Sequence, residues 1–145
     1  MILFLLLALA AGVLLPVQAG LNAQLRSALG SPIAAAFISF LVGTLALAAA
    51  TVLFRVSFPV SRAWTVTHPV QWSGGMIGAV YVLAAVVLAP KLGAGTLVAA
   101  VVAGQMVTSL LLDHYGLIGF PVHVLSPARL AGAVLVIVGV ILIQR

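Results

Sequence analysis

Long uncharged stretches constrain what this chain can fold into more than any other feature of the sequence. The six basic residues and the single acidic residue occur one at a time, with apolar runs between them. A bilayer core of about 30 Å needs roughly 20 apolar residues of helix to cross it, and several of these runs reach that length. Charged residues make up 5% of the chain, too few to cover a water-soluble domain. The sequence therefore predicts an all-α integral membrane protein with the lipid bilayer as its solvent.

The apolar runs predict about five transmembrane helices in a single domain. Prolines, glycines and polar stretches separate them, and the predicted boundaries are residues 2–25, 33–54, 72–89, 96–112 and 129–145. The first run resembles a secretory signal peptide, but it lacks a basic start and the remaining chain is equally apolar. We therefore interpret it as the first membrane helix. Residues 55–71 and 113–127 are predicted to be extramembrane loops.

The basic residues divide equally between the two sides of the membrane that five spans define. Three fall on each side: Arg55, Arg62 and Arg129 on one, and Arg26, Lys91 and Arg145 on the other. A protein with one fixed orientation usually carries an excess of Lys and Arg on its cytoplasmic side. The equal count predicts dual topology, with oppositely oriented copies forming an antiparallel homodimer or pairing with a close paralogue. The isolated spacing of these residues is typical of anchors in the headgroup region and does not indicate a nucleic-acid partner.

Two of the predicted helices carry polar residues at a spacing of four, which places them on one face. They are Gln18, Asn22 and Arg26 on the first helix, and Gln105, Ser109 and Asp113, with Thr108 beside them, on the fourth. Polar groups are costly against lipid, so these two polar stripes should face the bundle interior, a partner subunit or a water-filled cavity. We interpret them as candidates for binding a solute or lining its cavity. Hydrogen bonding between helices is the alternative.

Asp113 is the only acidic residue and therefore the only candidate carboxylate for proton or cation coupling. Its position near a helix end also fits a salt bridge to an arginine. In an antiparallel dimer Asp113 of one chain would reach the membrane depth of Arg26 of the other, which predicts a cross-subunit ion pair. Arg129 and Arg62 of the same chain are the competing partners.

Four glycines are candidates for close helix packing: Gly74, Gly78, Gly132 and Gly139. The three histidines lie in or beside loops and lack metal-ligand spacing, and the chain has no cysteine. The sequence also lacks a nucleophile elbow, a phosphate-binding glycine loop and paired carboxylates. We therefore predict no enzyme activity, no cofactor and no metal site.

Several segments together resemble a known family. They are Gly20-Leu21-Asn22-Ala23-Gln24-Leu25, Pro90-Lys91-Leu92-Gly93, Gly104-Gln105 and Asp113-His114-Tyr115-Gly116. Over its whole length the chain resembles the YdcZ-type proteins, short members of the drug/metabolite transporter superfamily with about five helices. The resemblance implies a multi-pass protein of the cell (inner) membrane that transports small solutes.

The closing run, residues 129–140, is similar to the last helix of small multidrug resistance proteins, which work as antiparallel dimers. Those relatives exchange protons for cations through a glutamate in the first helix, and the first predicted helix here has no acid. We therefore expect a carrier of a small polar or amphiphilic solute, neutral or anionic rather than cationic. A passive channel built from the same dimer and a non-transporting membrane scaffold are the alternatives.

Overall fold

The computed structural model of the chain describes residues 1–57 and 59–144, and within them every regular element is a helix. The α-helices are α1 (Ile2–Leu29), α2 (Pro32–Leu53), α3 (Val60–Val66), α4 (Gly74–Tyr115) and α5 (Pro127–Ile143). Two short 3₁₀ segments, Pro69–Ser73 and Leu117–Gly119, precede and follow α4. The predicted all-α fold is confirmed for the described residues. The predicted end of the fifth helix at Arg145, and the anchoring role predicted for that residue, lie outside them.

Three helical segments of the described chain are long and apolar enough to cross a membrane. These are α1, α2, and α4 together with the 3₁₀ turn before it, whereas α5 is a shorter apolar helix of 17 residues. Only 6% of the apolar window of α1 and 11% of that of α2 is buried within the chain. Their side chains are thus left facing outward, which suits a lipid solvent.

The turn between α1 and α2 explains why α1 continues past its predicted end at Leu25. Gly30 adopts a left-handed conformation (φ 69°), and its N–H donates to the Arg26 carbonyl at 2.8 Å, which closes the last turn of α1. Ser31 then caps α2, because its hydroxyl accepts the Ala34 N–H at 3.3 Å, and Pro32 occupies the first turn. The helix therefore includes Arg26, which belongs to the polar stripe although it lies one residue beyond the predicted boundary.

Helix α4 replaces two predicted helices, residues 72–89 and 96–112, of which only residues 72 and 73 fall in the preceding 3₁₀ segment. It has 42 residues, and an unbroken helix of that length would extend about 63 Å, twice the thickness of the bilayer core. Gly93 interrupts it with a non-helical backbone (φ 76°, ψ 163°). The prediction that Pro90 ends the third helix is wrong, because helical structure continues through Pro90 to Gly93. The number of membrane crossings remains a prediction.

The predicted loop at residues 55–71 contains ordered helical structure, which the sequence did not indicate. It includes α3 and the start of the following 3₁₀ segment, where the His68 ring accepts the Val70 N–H and the Gln71 side chain accepts the His68 N–H at 3.0 Å. The Trp72 indole donates to the Thr67 hydroxyl at 2.9 Å. These local bonds satisfy several polar groups of a stretch that we predicted as an extramembrane loop.

The helices group into two compact units, and the division falls within α1 and α4. One unit is the contiguous segment Val17–Pro90; the other combines Met1–Pro16 with Lys91–Arg145. The core of the contiguous unit is formed by small side chains, and its members are Ala35, Ala36, Val82 and Val86, with Leu25, Tyr81 and Leu83 packed against them. In the other unit Leu97, Leu110 and Ala133 are buried.

Candidate functional site

The polar stripe on α1 lies in the contiguous unit and is only partly exposed. Asn22 is buried, with 7% of its surface exposed, Arg26 is half-buried and Gln18 is exposed. The Nη1 group of Arg26 donates to the backbone carbonyls of Val86 at 3.2 Å and of Val87 at 3.4 Å. Arg26 therefore joins α1 to α4 through the backbone of α4.

Pro90 explains why a guanidinium is needed at this place. In a continuous α-helix the carbonyl of residue 86 accepts the N–H of residue 90, and proline has no N–H. Val86 is fully buried, so its carbonyl has no access to water. The Arg26 guanidinium supplies the missing donor, which allows the helix to continue through Pro90. A proline inside an apolar run, with an arginine on another helix, was the sequence signal for this contact, and our sequence reasoning missed it.

The side chain of Asn22 is buried, yet it has no hydrogen bond within residues 1–57 and 59–144. It lies one helical turn before Arg26 on the same face of α1. Among the described residues no buried side-chain polar atom is both fully inaccessible and unpaired. The Asn22 amide thus remains reachable, and it can hydrogen-bond a solute or another protein group.

The polar stripe on α4 lies in the other compact unit and ends in an ion pair. Gln105, Thr108 and Ser109 are exposed, and the Ser109 hydroxyl donates to the Met106 carbonyl at 3.0 Å. The Asp113 carboxylate contacts the Arg129 guanidinium at 2.7 Å, with 24% and 35% of the two side chains exposed. Asp113 thus pairs within its own chain with one of the competing partners that the sequence named.

This ion pair is one of several contacts that hold the segment joining α4 to α5 in place. Arg129 also donates to the His123 carbonyl at 3.0 Å, and the His123 N–H donates to the Asp113 carbonyl at 2.8 Å. The His114 Nδ1 atom accepts the Leu125 N–H at 3.2 Å. Side chains at the end of α4 therefore fix the backbone of this connection, which the sequence predicted only as a broken loop.

We expect a modest coupling energy between Asp113 and Arg129. Both side chains are partly exposed, so water competes for the ion pair and its contribution should be about 0.2–1 kcal/mol. A double-mutant cycle with Asp113→Asn and Arg129→Gln measures it from thermal unfolding in detergent. The connection should also become more sensitive to protease in each single variant. Strictly additive losses would show that the two side chains do not interact in solution.

The same unit contains an open apolar cavity that the sequence did not indicate. Its volume is about 540 Å³, and residues of α1, α4 and α5 line it. They are Pro16 of α1, Ala94, Gly95, Val98, Ala99 and Val102 of α4, and Val136, Gly139, Val140 and Ile143 of α5. None of the described residues that line it carries a polar side chain. Small residues make room for it, among them Gly95 and Gly139, and this local excess of small side chains was the available sequence signal.

The four glycines predicted to mediate helix packing differ in their surroundings. Gly78 lies against the Phe40 ring, where an added Cβ would be 3.5 Å from the nearest ring atom. Gly139 lines the cavity. For Gly74 and Gly132 no described atom lies within 4 Å of an added Cβ. Within the described chain, close contact with a neighbouring helix is therefore seen at Gly78.

The described residues bring no three His, Asp, Glu or Cys side chains together in a way that could hold a metal ion. His68 and His114 each serve as a hydrogen-bond acceptor for a nearby backbone N–H. His123 lies within hydrogen-bonding distance of the Pro121 carbonyl, at 3.1 Å. Each histidine therefore has a local structural contact.

Comparison with known proteins identifies a family over nearly the whole chain. The family model described as "Putative inner membrane exporter, YdcZ" matches residues 3–142. The chain matches no curated protein and no solved structure.

Proposed function

Because the chain belongs to the YdcZ family, whose description is "Putative inner membrane exporter", we propose that it carries a small polar or amphiphilic solute by alternating access between the helices of a dimer. The protein is a multi-pass protein of the inner membrane: the family description gives the membrane, and several long apolar helices fit a multi-pass protein. The family membership supports transport in general. The dimer and the alternating-access mechanism are our proposal.

The exposed polar stripe on α4 is the observation that carries this proposal. Gln105, Thr108 and Ser109 lie on an apolar helix and are exposed in the isolated chain. In a bilayer these groups would face hydrocarbon, where an unpaired polar group is costly. Ser109 bonds to its own helix, but the side chains of Gln105 and Thr108 have no hydrogen bond within the described residues. A second copy of the chain, or a solute pathway that it completes, would give them polar surroundings. The exposed Gln18 on α1 supports the same conclusion.

The interruption of α4 at Gly93 supports a mechanism in which the two segments of this helix move relative to each other. Broken helices within the membrane are common in transporters, where irregular backbone lines a cavity. The break at Gly93 leaves helical segments of about 28 Å and 33 Å, each long enough to cross the bilayer core. A single residue with a non-helical backbone can serve as a hinge between two such rigid segments.

Transport is tested with the purified protein in liposomes. The vesicles are loaded with a panel of neutral, anionic and cationic small molecules, and counterflow of a labelled trace of each is measured against protein-free vesicles. We expect saturable counterflow of at least one neutral or amphiphilic member. A fast, unsaturable current would instead support a channel, and an absence of flux across the panel would favour a scaffold; either result would contradict the proposal.

Dual topology is expected, with both orientations present in one membrane. The equal division of basic residues supports it, because this division gives neither orientation an advantage. A C-terminal reporter that is active in the cytoplasm and another that is active outside it should both give a signal. Adding one lysine beside Lys91 should shift the ratio, and adding one beside Arg62 should shift it in the opposite direction. A reporter signal from one side alone would disprove dual topology.

A further inference from the structure

The apolar cavity has the size of a small-molecule binding site, but no described residue that lines it has a charged or polar side chain. Its volume of about 540 Å³ lies within the range of roughly 300–1,000 Å³ that is typical of ligand pockets. The described residues that line it offer only aliphatic groups and backbone. A charged group placed there would lose its hydration without gaining a partner. The part of a solute that enters this cavity must therefore be uncharged and apolar.

The polar stripe on α4 continues the wall of the cavity along one face of the helix. Val98 and Val102 line the cavity, and Gln105 and Ser109 follow at spacings of three and four residues. Such spacings keep side chains on one face, and each step advances about 5 Å along the axis. Gln105 and Ser109 are exposed, so they present hydrogen-bonding groups about one to two turns beyond the apolar wall.

The charged groups at the far end of this face are already paired with each other. Asp113 continues the spacing, but its carboxylate contacts Arg129 at 2.7 Å. This face therefore offers an amide and a hydroxyl to a solute, and no free charge of either sign within the described residues. A polar group that binds there should be a neutral hydrogen-bonding group.

We propose that this cavity binds an amphiphile with an uncharged head, whose apolar body lies between Pro16, Val98 and Gly139 and whose head lies at Gln105 and Ser109. The inference rests on the proposed transport function, since it names the class of solute that the same chain would carry. It differs from the sequence-based expectation in one respect: a small anionic metabolite does not fit an apolar cavity. A lipid acyl chain and a helix of a second copy are the competing occupants.

A photoactivatable alcohol tests the site directly. Octanol carrying a diazirine on its chain is added to the protein in nanodiscs, irradiated, and its attachment sites are mapped by mass spectrometry. We expect saturable labelling of residues 94–102 and 136–143, reduced by an excess of unlabelled octanol. Labelling that is unsaturable and spread over the lipid-facing helices would mean that lipid occupies the cavity. Labelling that appears only after the dimer is dissociated would mean that a second copy fills it. Either result overturns the proposal.

Filling the cavity should remove this labelling. Gly139→Phe places a ring in the cavity, because a Cβ at Gly139 meets no described atom within 4 Å. Ala99→Phe fills it from α4 and serves as an independent variant. Both should lower saturable labelling at least about tenfold. The matched control is Gly104→Phe, on the opposite face of α4 by helical spacing and also free of neighbours within 4 Å, and it should label like the unmodified protein. Unchanged labelling in both filled variants overturns the proposal.

The head-group assignment is tested by competition among ligands with the same eight-carbon body. Gln105→Leu should weaken competition by octanol about two- to tenfold, the usual effect of one lost hydrogen bond, while competition by octane stays unchanged. Octanoate and octyltrimethylammonium should compete less well than octanol. Stronger competition by either charged ligand overturns the uncharged-head assignment. Saturable labelling without counterflow would contradict the proposed transport function but support the binding site in the cavity. Counterflow with labelling that cavity filling does not change would support transport but contradict the binding site.

Discussion

Gly93→Ala is expected to destabilise the protein by about 1–3 kcal/mol. The backbone at Gly93 (φ 76°, ψ 163°) lies in a region that is nearly exclusive to glycine, because a Cβ there collides with the adjacent peptide groups. Alanine must either occupy this strained conformation or draw residues 74–115 towards one straight helix, which is too long for the bilayer. Thermal unfolding in detergent measures the loss, and counterflow in liposomes should fall in parallel.

Gly104→Ala is the matched control for this prediction. Gly104 lies on the same helix with a regular backbone, and an added Cβ meets no described atom within 4 Å. Alanine is favoured over glycine in a helix by about 1 kcal/mol, so this variant should be neutral or slightly stabilised. If Gly93→Ala were as stable as Gly104→Ala, the break in α4 would not depend on glycine, and the hinge in the proposed mechanism would lose its support.

Arg26→Leu should cost about 1–3 kcal/mol, because it removes the donor that replaces the missing N–H of Pro90. The Val86 carbonyl would then be buried without a partner. Unfolding in detergent again provides the measurement. Arg62→Leu is the control that removes the same charge from an exposed position on α3, and it should change stability by no more than about 0.5 kcal/mol.

The Pro90→Ala background separates this explanation from a general need for positive charge. Alanine at position 90 restores an N–H that can reach the Val86 carbonyl, so the Arg26 guanidinium is no longer the only available donor. Arg26→Leu should therefore cost at least about 1 kcal/mol less in Pro90→Ala than in the native sequence. Equal costs in the two backgrounds would show that Arg26 acts through something other than the carbonyl left free by Pro90.

The parts of the fold that were predictable from the sequence depend on local chemistry. Gly30, Ser31 and Pro32 are consecutive, so the sequence alone predicts the turn between α1 and α2. In the structure Gly30 has a positive φ, Ser31 caps α2 and Pro32 lies in its first turn. The length of the apolar segment 72–112 likewise required a break near Pro90 to Gly95. The break at Gly93 lies within this stretch, but the helix does not end at Pro90 as predicted. The carbonyl that Pro90 leaves without a donor, that of Val86, is bound by Arg26 of α1, and spacing along one helix does not reveal such a contact.

The candidate site was less predictable for the same reason. Helical spacing placed Gln105, Ser109 and Asp113 on one face, and Asp113 was correctly recognised as able to pair with Arg129. Spacing along one helix could not reveal that the neighbouring helices leave an apolar cavity beside that face. Cavities arise from side-chain volumes on several elements at once, and a single sequence does not give their arrangement.

The two compact units can complete their packing at different stages of protein synthesis. Val17–Pro90 is contiguous, so its packing partners are all present once ribosomal synthesis has passed Pro90. Met1–Pro16, the earlier part of α1, belongs instead with Lys91–Arg145, so it can complete its packing only after that later segment has been synthesised. During that interval the lipid, the insertion machinery or another nascent copy must accommodate its apolar surface. This part of α1 thus completes its packing after the part of the helix that follows it in the chain.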